Sequence, residues 1–194
     1  MLQQGDKAPA FALESDAGKT VKLDDFRGRT LVLYFYPRDN TPGCTRESIA
    51  FSEAADRFAA AGATVVGVSR DTVKSHVSFR DKYSLRIPLL SDPDLAVHRA
   101  FGAWGEKTMY GKKVEGTIRS TFVIDGEGTI VKAFPSVKVD GHVDQVLTAL
   151  GAAEAAAPAT GKKAPAPGKK APAPAKKTPA ASKAPARKTT AAKR

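Results

Sequence analysis

A chain of 194 residues, 42% of them hydrophobic, can build one buried core, and no run approaches the eighteen apolar residues a membrane span needs. The net charge of +11 suggests a polyanion binder, yet eleven of the Lys and Arg residues follow Gly151, against the single acid Glu154. Residues 1–150 keep only +1, so the front of the chain reads as a nearly neutral globular domain and residues 151–194 as a basic appendage.

Residues 10–28 read as two short extended pieces around the turn Ser15-Asp16-Ala17-Gly18, with period-2 alternation at Thr20-Val21-Lys22-Leu23. Leu31 to Tyr36 is apolar on both faces and stops at Pro37, as a central strand covered on both sides would. Thr41 and Pro42 signal a helix start, a capping hydroxyl followed by proline. Phe51, Ala54, Ala55 and Phe58 mark that helix's buried face, Gly62 stops it, and Ala63 to Val68 follows as a second buried strand. The unit is βαβ, for which a right-handed crossover is expected.

Asp71 or Thr72 caps the next predicted helix, which runs to about Tyr83. A strand over Ile87 to Leu90 and a helix from Asp92-Pro93 to Phe101-Gly102 come next. Ser120 to Asp125 and Thr129 to Phe134, joined by Gly126-Glu127-Gly128, form a hairpin-like pair, and a last helix covers about Gly141 to Leu150. Strands mixed with helices and a late antiparallel pair predict an α/β layer architecture with a mixed sheet.

After Gly151 the chain is nearly all Ala, Lys, Pro, Gly and Thr. Gly161-Lys162-Lys163-Ala164-Pro165-Ala166-Pro167 recurs as Gly168-Lys169-Lys170-Ala171-Pro172-Ala173-Pro174, and a decayed third copy starts at Ala175. Frequent proline and the lack of large apolar side chains predict a disordered, solvated tail.

Chemistry converges on Pro37-Arg38-Asp39-Asn40-Thr41-Pro42-Gly43-Cys44-Thr45. Cys44, the only cysteine, falls just inside a helix start, one loop beyond the carboxyl end of a central strand, where open α/β sheets place their sites. A thiolate is the nucleophilic form of cysteine, and the free amides and dipole at a helix start favour it. Free cysteine also serves as a small buried filler, a role that does not require this position. One cysteine excludes an internal disulfide and favours a reducing compartment. The first residues, Met1 to Asp6, lack the pattern of a signal peptide, so a cytoplasmic protein is expected. His76, His98 and His142 show no metal-ligand spacing, Asp92 and Asp94 read as turn and cap, and no Gly-rich phosphate loop or Cys-x-x-Cys occurs. No cofactor is expected.

The segment Tyr36-Pro37 through Thr41-Pro42-Gly43-Cys44-Thr45 resembles the peroxiredoxin active-site pattern, Pro-x-x-x-Thr-x-x-Cys, in its bacterioferritin-comigratory-protein form. Trp104 to Gly111 and Gly116 to Asp125 match the same subfamily in the same order, so the resemblance covers about residues 3–150. It implies a thioredoxin-like fold and a peroxidase that reduces hydroperoxides. It gives Cys44 the role of peroxidatic nucleophile, Thr41 that of holding the peroxide, Pro37 that of shielding the thiolate and Arg119 that of stabilising charge. Taken singly, Thr41 reads equally as a helix cap, Pro37 as a strand stop and Arg119 as a solvated edge residue.

Many members of that subfamily carry a resolving cysteine five residues after the first, where this chain has Ile49. The resemblance then implies a one-cysteine cycle in which the sulfenic acid is reduced by an external thiol: a small thiol, glutaredoxin, thioredoxin or a second Cys44. The Lys-Lys-Ala-Pro repeats resemble the tails of linker histones and some nucleoid proteins, which implies nonspecific binding to DNA or another polyanion and a nucleoid or nuclear association. The competing reading is a DNA-associated structural protein whose thioredoxin-like domain is idle.

Overall fold

The apolar run from Leu31 to Tyr36 organises the fold, because successive side chains of a strand point to opposite faces. The structure, a computed structural model, describes residues 1–109 and 112–154. In chain order they form β1 (Ala12–Ser15), β2 (Thr20–Lys22), a 3-10 turn (Leu23–Phe26), β3 (Thr30–Phe35), α1 (Pro42–Glu53) and α2 (Ala55–Ala60). Next come β4 (Ala63–Ser69), α3 (Val73–Tyr83), β5 (Leu89–Ser91), α4 (Ala96–Ala100), β6 (Trp104–Met109) and β7 (Lys112–Thr117). The last elements are β8 (Ser120–Ile124), β9 (Ile130–Phe134) and α5 (His142–Glu154).

Seven strands make one mixed sheet in the order β2-β1-β5-β4-β3-β8-β9, with β3 parallel to β4 and antiparallel to β8. The two faces of β3 feed two cores. Val32 and Tyr34, with Tyr36 beyond the strand, pack with Phe51, Phe58, Phe79, Val146 and Leu150 on the helices. Leu31, Leu33 and Phe35 pack with Phe11, Phe101, Phe122 and Ile124 on the other side. Each fully buried phenylalanine contributes roughly 1.5–3 kcal/mol over an exposed one, which makes the double-sided burial of β3 the main cohesion of the domain. Because β3, β4 and β5 run parallel, the loops after them gather at one edge of the sheet.

Several elements depart from the sequence pattern. The helix expected through Phe58 is interrupted at Ala54, though Phe51, Ala54 and Phe58 all remain on the buried side. The helix expected to open at Asp92-Pro93 starts only at Ala96, because Asp92 first makes a turn: its carbonyl accepts from Leu95 N–H and its carboxylate from His98 N–H. Helix α5 extends past Leu150 to Glu154, and β6 and β7 form a separate two-stranded sheet that the sequence pattern did not reveal. Beyond Glu154, the expected disordered tail lies outside the described residues. Among the described residues no helix is long and apolar enough to cross a membrane.

Candidate active site

Cys44 is the third residue of α1, after Pro42, whose missing N–H costs nothing in the first turn, and Gly43. Its side chain is buried, with the residue 1% exposed. The first amides of α1 have no acceptor within the helix, and its positive dipole end lies at the same place.

Arg119 arrives from the two-residue link between β7 and β8. That link is fixed where the Arg119 carbonyl accepts from Val137 N–H at 2.8 Å and where Ser120 Oγ donates to the Ile118 carbonyl at 3.1 Å. From there Nη2 donates to Cys44 Sγ at 3.2 Å, while Nη1 donates to Glu47 Oε2. Cys44 and Glu47 are three residues apart on one face of α1, so one planar guanidinium spans both. Burial opposes the charge on Arg119, but the adjacent Glu47 and Cys44 outweigh it and raise its pKa.

Glu47 is the neighbour of Cys44 and Arg119 that sequence reasoning missed. It is 1% exposed, and its Oε1 has no hydrogen-bond partner among the described residues. Burial pushes its pKa up to about 7 against the pull of Arg119. The available signal was its i+3 spacing from Cys44 on a helix whose other inward residues are apolar or small.

Thr41 precedes α1 with extended backbone (φ −89°, ψ 147°), but the side-chain cap expected of it is not made. Its hydroxyl instead donates to the Arg38 carbonyl at 3.0 Å, a local bond that competes with capping. Between them Asn40 turns the loop through φ 57°, a left-handed conformation that asparagine tolerates. Pro37, half-buried, follows Tyr36 at the head of the loop. The structure thus joins Arg119 to Cys44 by a hydrogen bond and sets Thr41 and Pro37 on the loop leading into the same helix. Ile49 is partly buried and packs against the helical core.

His142, set aside on the sequence, is buried at the start of α5. Its Nε2 pairs with Thr121 Oγ1 at 2.8 Å, and its ring meets Phe51 and Phe134 edge-on. Burial first, and the charge of Arg119 second, lower its pKa to about 4, so the ring is neutral near pH 7.

The AhpC/TSA family model matches residues 4–133. Peroxiredoxin Bcp of Bacillus subtilis is 43% identical over 149 residues, covering 77% of this chain and 95% of that protein. Peroxiredoxin Bcp of Xanthomonas campestris is 49% identical over 140 residues, 72% of this chain and 88% of that protein. Among solved structures, the bacterioferritin comigratory protein of Xanthomonas campestris, studied for alkyl peroxide reduction, superposes with a TM-score of 0.70 at 48% identity, covering 74% and 91% of the two chains. A cysteine-to-serine variant of PrxQ from Xylella fastidiosa gives 0.75 at 42% identity, covering 79% and 98%. The mixed sheet described above is accordingly the thioredoxin-like fold of peroxiredoxins. The chain therefore belongs to the AhpC/TSA family, as a thiol-dependent peroxidase of the Bcp, or peroxiredoxin Q, type.

Proposed function

We propose that Cys44 is the peroxidatic nucleophile and that the substrates are hydrogen peroxide and alkyl hydroperoxides. The thiolate attacks one peroxide oxygen; the S–O bond forms as the O–O bond breaks, and the departing oxygen takes a proton to leave as water or an alcohol. Cysteine is oxidised to sulfenic acid and the peroxide is reduced. The observation that carries this reading is the hydrogen bond from Arg119 to a buried sulfur. A fixed guanidinium in a site shielded from water stabilises the sulfur anion and the charge developing on the leaving oxygen. Thr41 spends its proton on the Arg38 carbonyl, so its oxygen keeps acceptor capacity for the peroxide O–H. Pro37 closes the loop side of the pocket against water.

Dimedone, which adds to sulfenic acids, tests the reading. After one equivalent of peroxide the full chain takes up one dimedone at Cys44, and the Cys44→Ser variant takes up none. If Cys44 stays unoxidised and unlabelled, the enzymatic reading fails and the idle-domain alternative takes its place.

With one cysteine in the chain and Ile49 five residues beyond it, the sulfenic acid needs an external thiol. That thiol attacks the oxidised sulfur, water leaves, and a second thiol resolves the mixed disulfide. Thioredoxin, glutaredoxin, a small thiol and Cys44 of a second copy all fit this chemistry, and peroxide consumption measured with each donor in turn separates them. An unpaired cysteine suits a reducing compartment such as the cytoplasm. The second element of the proposal is that the basic segment after α5 ties the peroxidase to DNA or another polyanion, at the nucleoid in a bacterial host.

A further inference from the structure

Asp39 is buried between two exposed neighbours, Arg38 and Asn40, in the loop that links β3 to the helix of Cys44. Its Oδ1 accepts from the Tyr36 hydroxyl at 2.7 Å. Its Oδ2 accepts from Ser75 Oγ at 2.7 Å and lies 2.9 Å from His76 Nδ1. Its own N–H donates to Asp71 Oδ2 at 2.8 Å, and that carboxylate oxygen also accepts from Ser69 Oγ at 2.8 Å. One loop residue is therefore held by groups from the ends of β3 and β4 and from the first turn of α3.

His76 is fully buried, and its two ring nitrogens both face acceptors. Nδ1 faces the Asp39 carboxylate, and Nε2 faces the Leu90 carbonyl of β5 at 3.2 Å. The Tyr36 hydroxyl lies 3.4 Å from Nδ1 and has given its own proton to Asp39, so it too presents an acceptor. An ionised carboxylate only accepts, so it is Nδ1 that carries a proton and donates to Asp39. The ionisable groups around the ring are Asp39, Tyr36 and, through the Asp39 amide, Asp71. Burial works against ionisation of Asp39, yet the bonds from His76, Ser75 and Tyr36 outweigh it and hold its carboxyl below the ordinary range.

We infer that His76 is a positioning residue for the peroxidase reaction: a buried ring N–H donor that, through Asp39, fixes the loop aiming the Thr41 hydroxyl. The coupling runs through adjacent atoms. Asp39 follows Arg38, whose carbonyl takes the Thr41 proton, so a shift of Asp39 moves the group that orients Thr41. Cys44 Sγ is bound separately, by Arg119. Loss of the clamp therefore costs peroxide alignment and leaves the electrostatics of the sulfur in place. This inference rests on the role of Thr41 proposed above.

Two measurements test it on the full chain. Histidine labelled with 15N reports the ring of His76 in the unaltered protein: Nδ1 carries a proton held by Asp39, and an unprotonated Nδ1 overturns the inference. Stopped-flow oxidation of Cys44 then compares His76→Gln, Asp39→Asn and Thr41→Val, with iodoacetamide alkylation as a reaction that needs no peroxide alignment. The expected result is a fall in the peroxide rate constant of roughly ten- to a hundredfold in all three variants, with alkylation no slower than in the parent. If Thr41→Val keeps the parent rate, the role given to Thr41 fails. If Thr41→Val is slowed while His76→Gln and Asp39→Asn stay within about threefold of the parent, the positioning role of His76 fails alone. Alkylation falling in step with oxidation also overturns it, because that marks general damage to the site.

Discussion

Glu47 sets burial against charge, and the balance gives it a pH signature. Its carboxyl, ordinarily titrating near 4.5, is raised to about 7 by burial beside Arg119. A carboxyl that holds its proton more tightly in the folded state stabilises the fold fully below 4.5 and loses that contribution as pH climbs through 7. The melting temperature of the parent minus that of Glu47→Gln should therefore decline between about pH 5 and pH 8. A flat difference across that window would show that Glu47 ionises in the folded chain as it does in the unfolded one. Arg119 carries a separate prediction. Replacing it with Met removes the donor at 3.2 Å from the sulfur and should lower the rate of Cys44 oxidation by roughly 10²–10³-fold, the scale of one lost charge-stabilising donor. Arg119→Lys should recover only part of that loss, because a point charge on a flexible stem cannot bridge Sγ and Oε2 as a planar fork does. Full recovery in stopped-flow oxidation would reduce the role of Arg119 to charge alone.

At the level of elements, β3, β4 and α1 fit together through one contact. A Cβ on Gly67 of β4 would lie 2.7 Å from the Tyr34 ring, closer than any side chain tolerates. That ring stacks on Phe51 of α1 with centroids 4.7 Å apart, and its hydroxyl bonds Ser48 Oγ at 2.9 Å. Gly67→Ala should destabilise the domain by about 1–3 kcal/mol, the usual cost of overpacking, and slow peroxide turnover by displacing α1. Unchanged thermal unfolding would show that Tyr34 has room to move. Elements such as β3 and β4 were legible because burial on both faces leaves unbroken apolar runs in the sequence. The pair β6 and β7 was not: Gly105-Glu106-Lys107 and Lys113-Val114-Glu115 read as polar, and the strands are held by each other across the register Trp104↔Thr117 to Met109↔Lys112 outside the main sheet. The site shows the same division. Pro37, Thr41 and Cys44 occupy eight contiguous residues whose local signals are strong, whereas Arg119 lies 75 residues away and was reached only through the family resemblance. Glu47 was passed over because a lone acid on a helix ordinarily faces water, and only the tertiary position of Arg119 explains its burial.

Over the whole molecule, charge is divided by sequence position. Eleven cations follow Gly151, and residues 1–150 carry a net +1. Binding to a polyanion that arises from counterion release scales with the number of phosphates neutralised and is independent of the order of the residues. Truncation after Glu154 keeps α5 whole and removes every one of those cations. The full chain should retard duplex DNA at low salt, with log K falling against log salt by about 0.9 for each phosphate engaged, and the truncated chain should lose the retardation. Peroxide turnover should be equal in the two, because Cys44, Arg119 and Glu47 all lie within residues 4–133. Shuffling the residue order after Glu154 at constant composition should preserve both affinity and slope, which separates a counterion mechanism from recognition of a specific motif. A full chain that leaves DNA unshifted at low salt, or a truncated chain that shifts it equally, would assign the basic segment some other task.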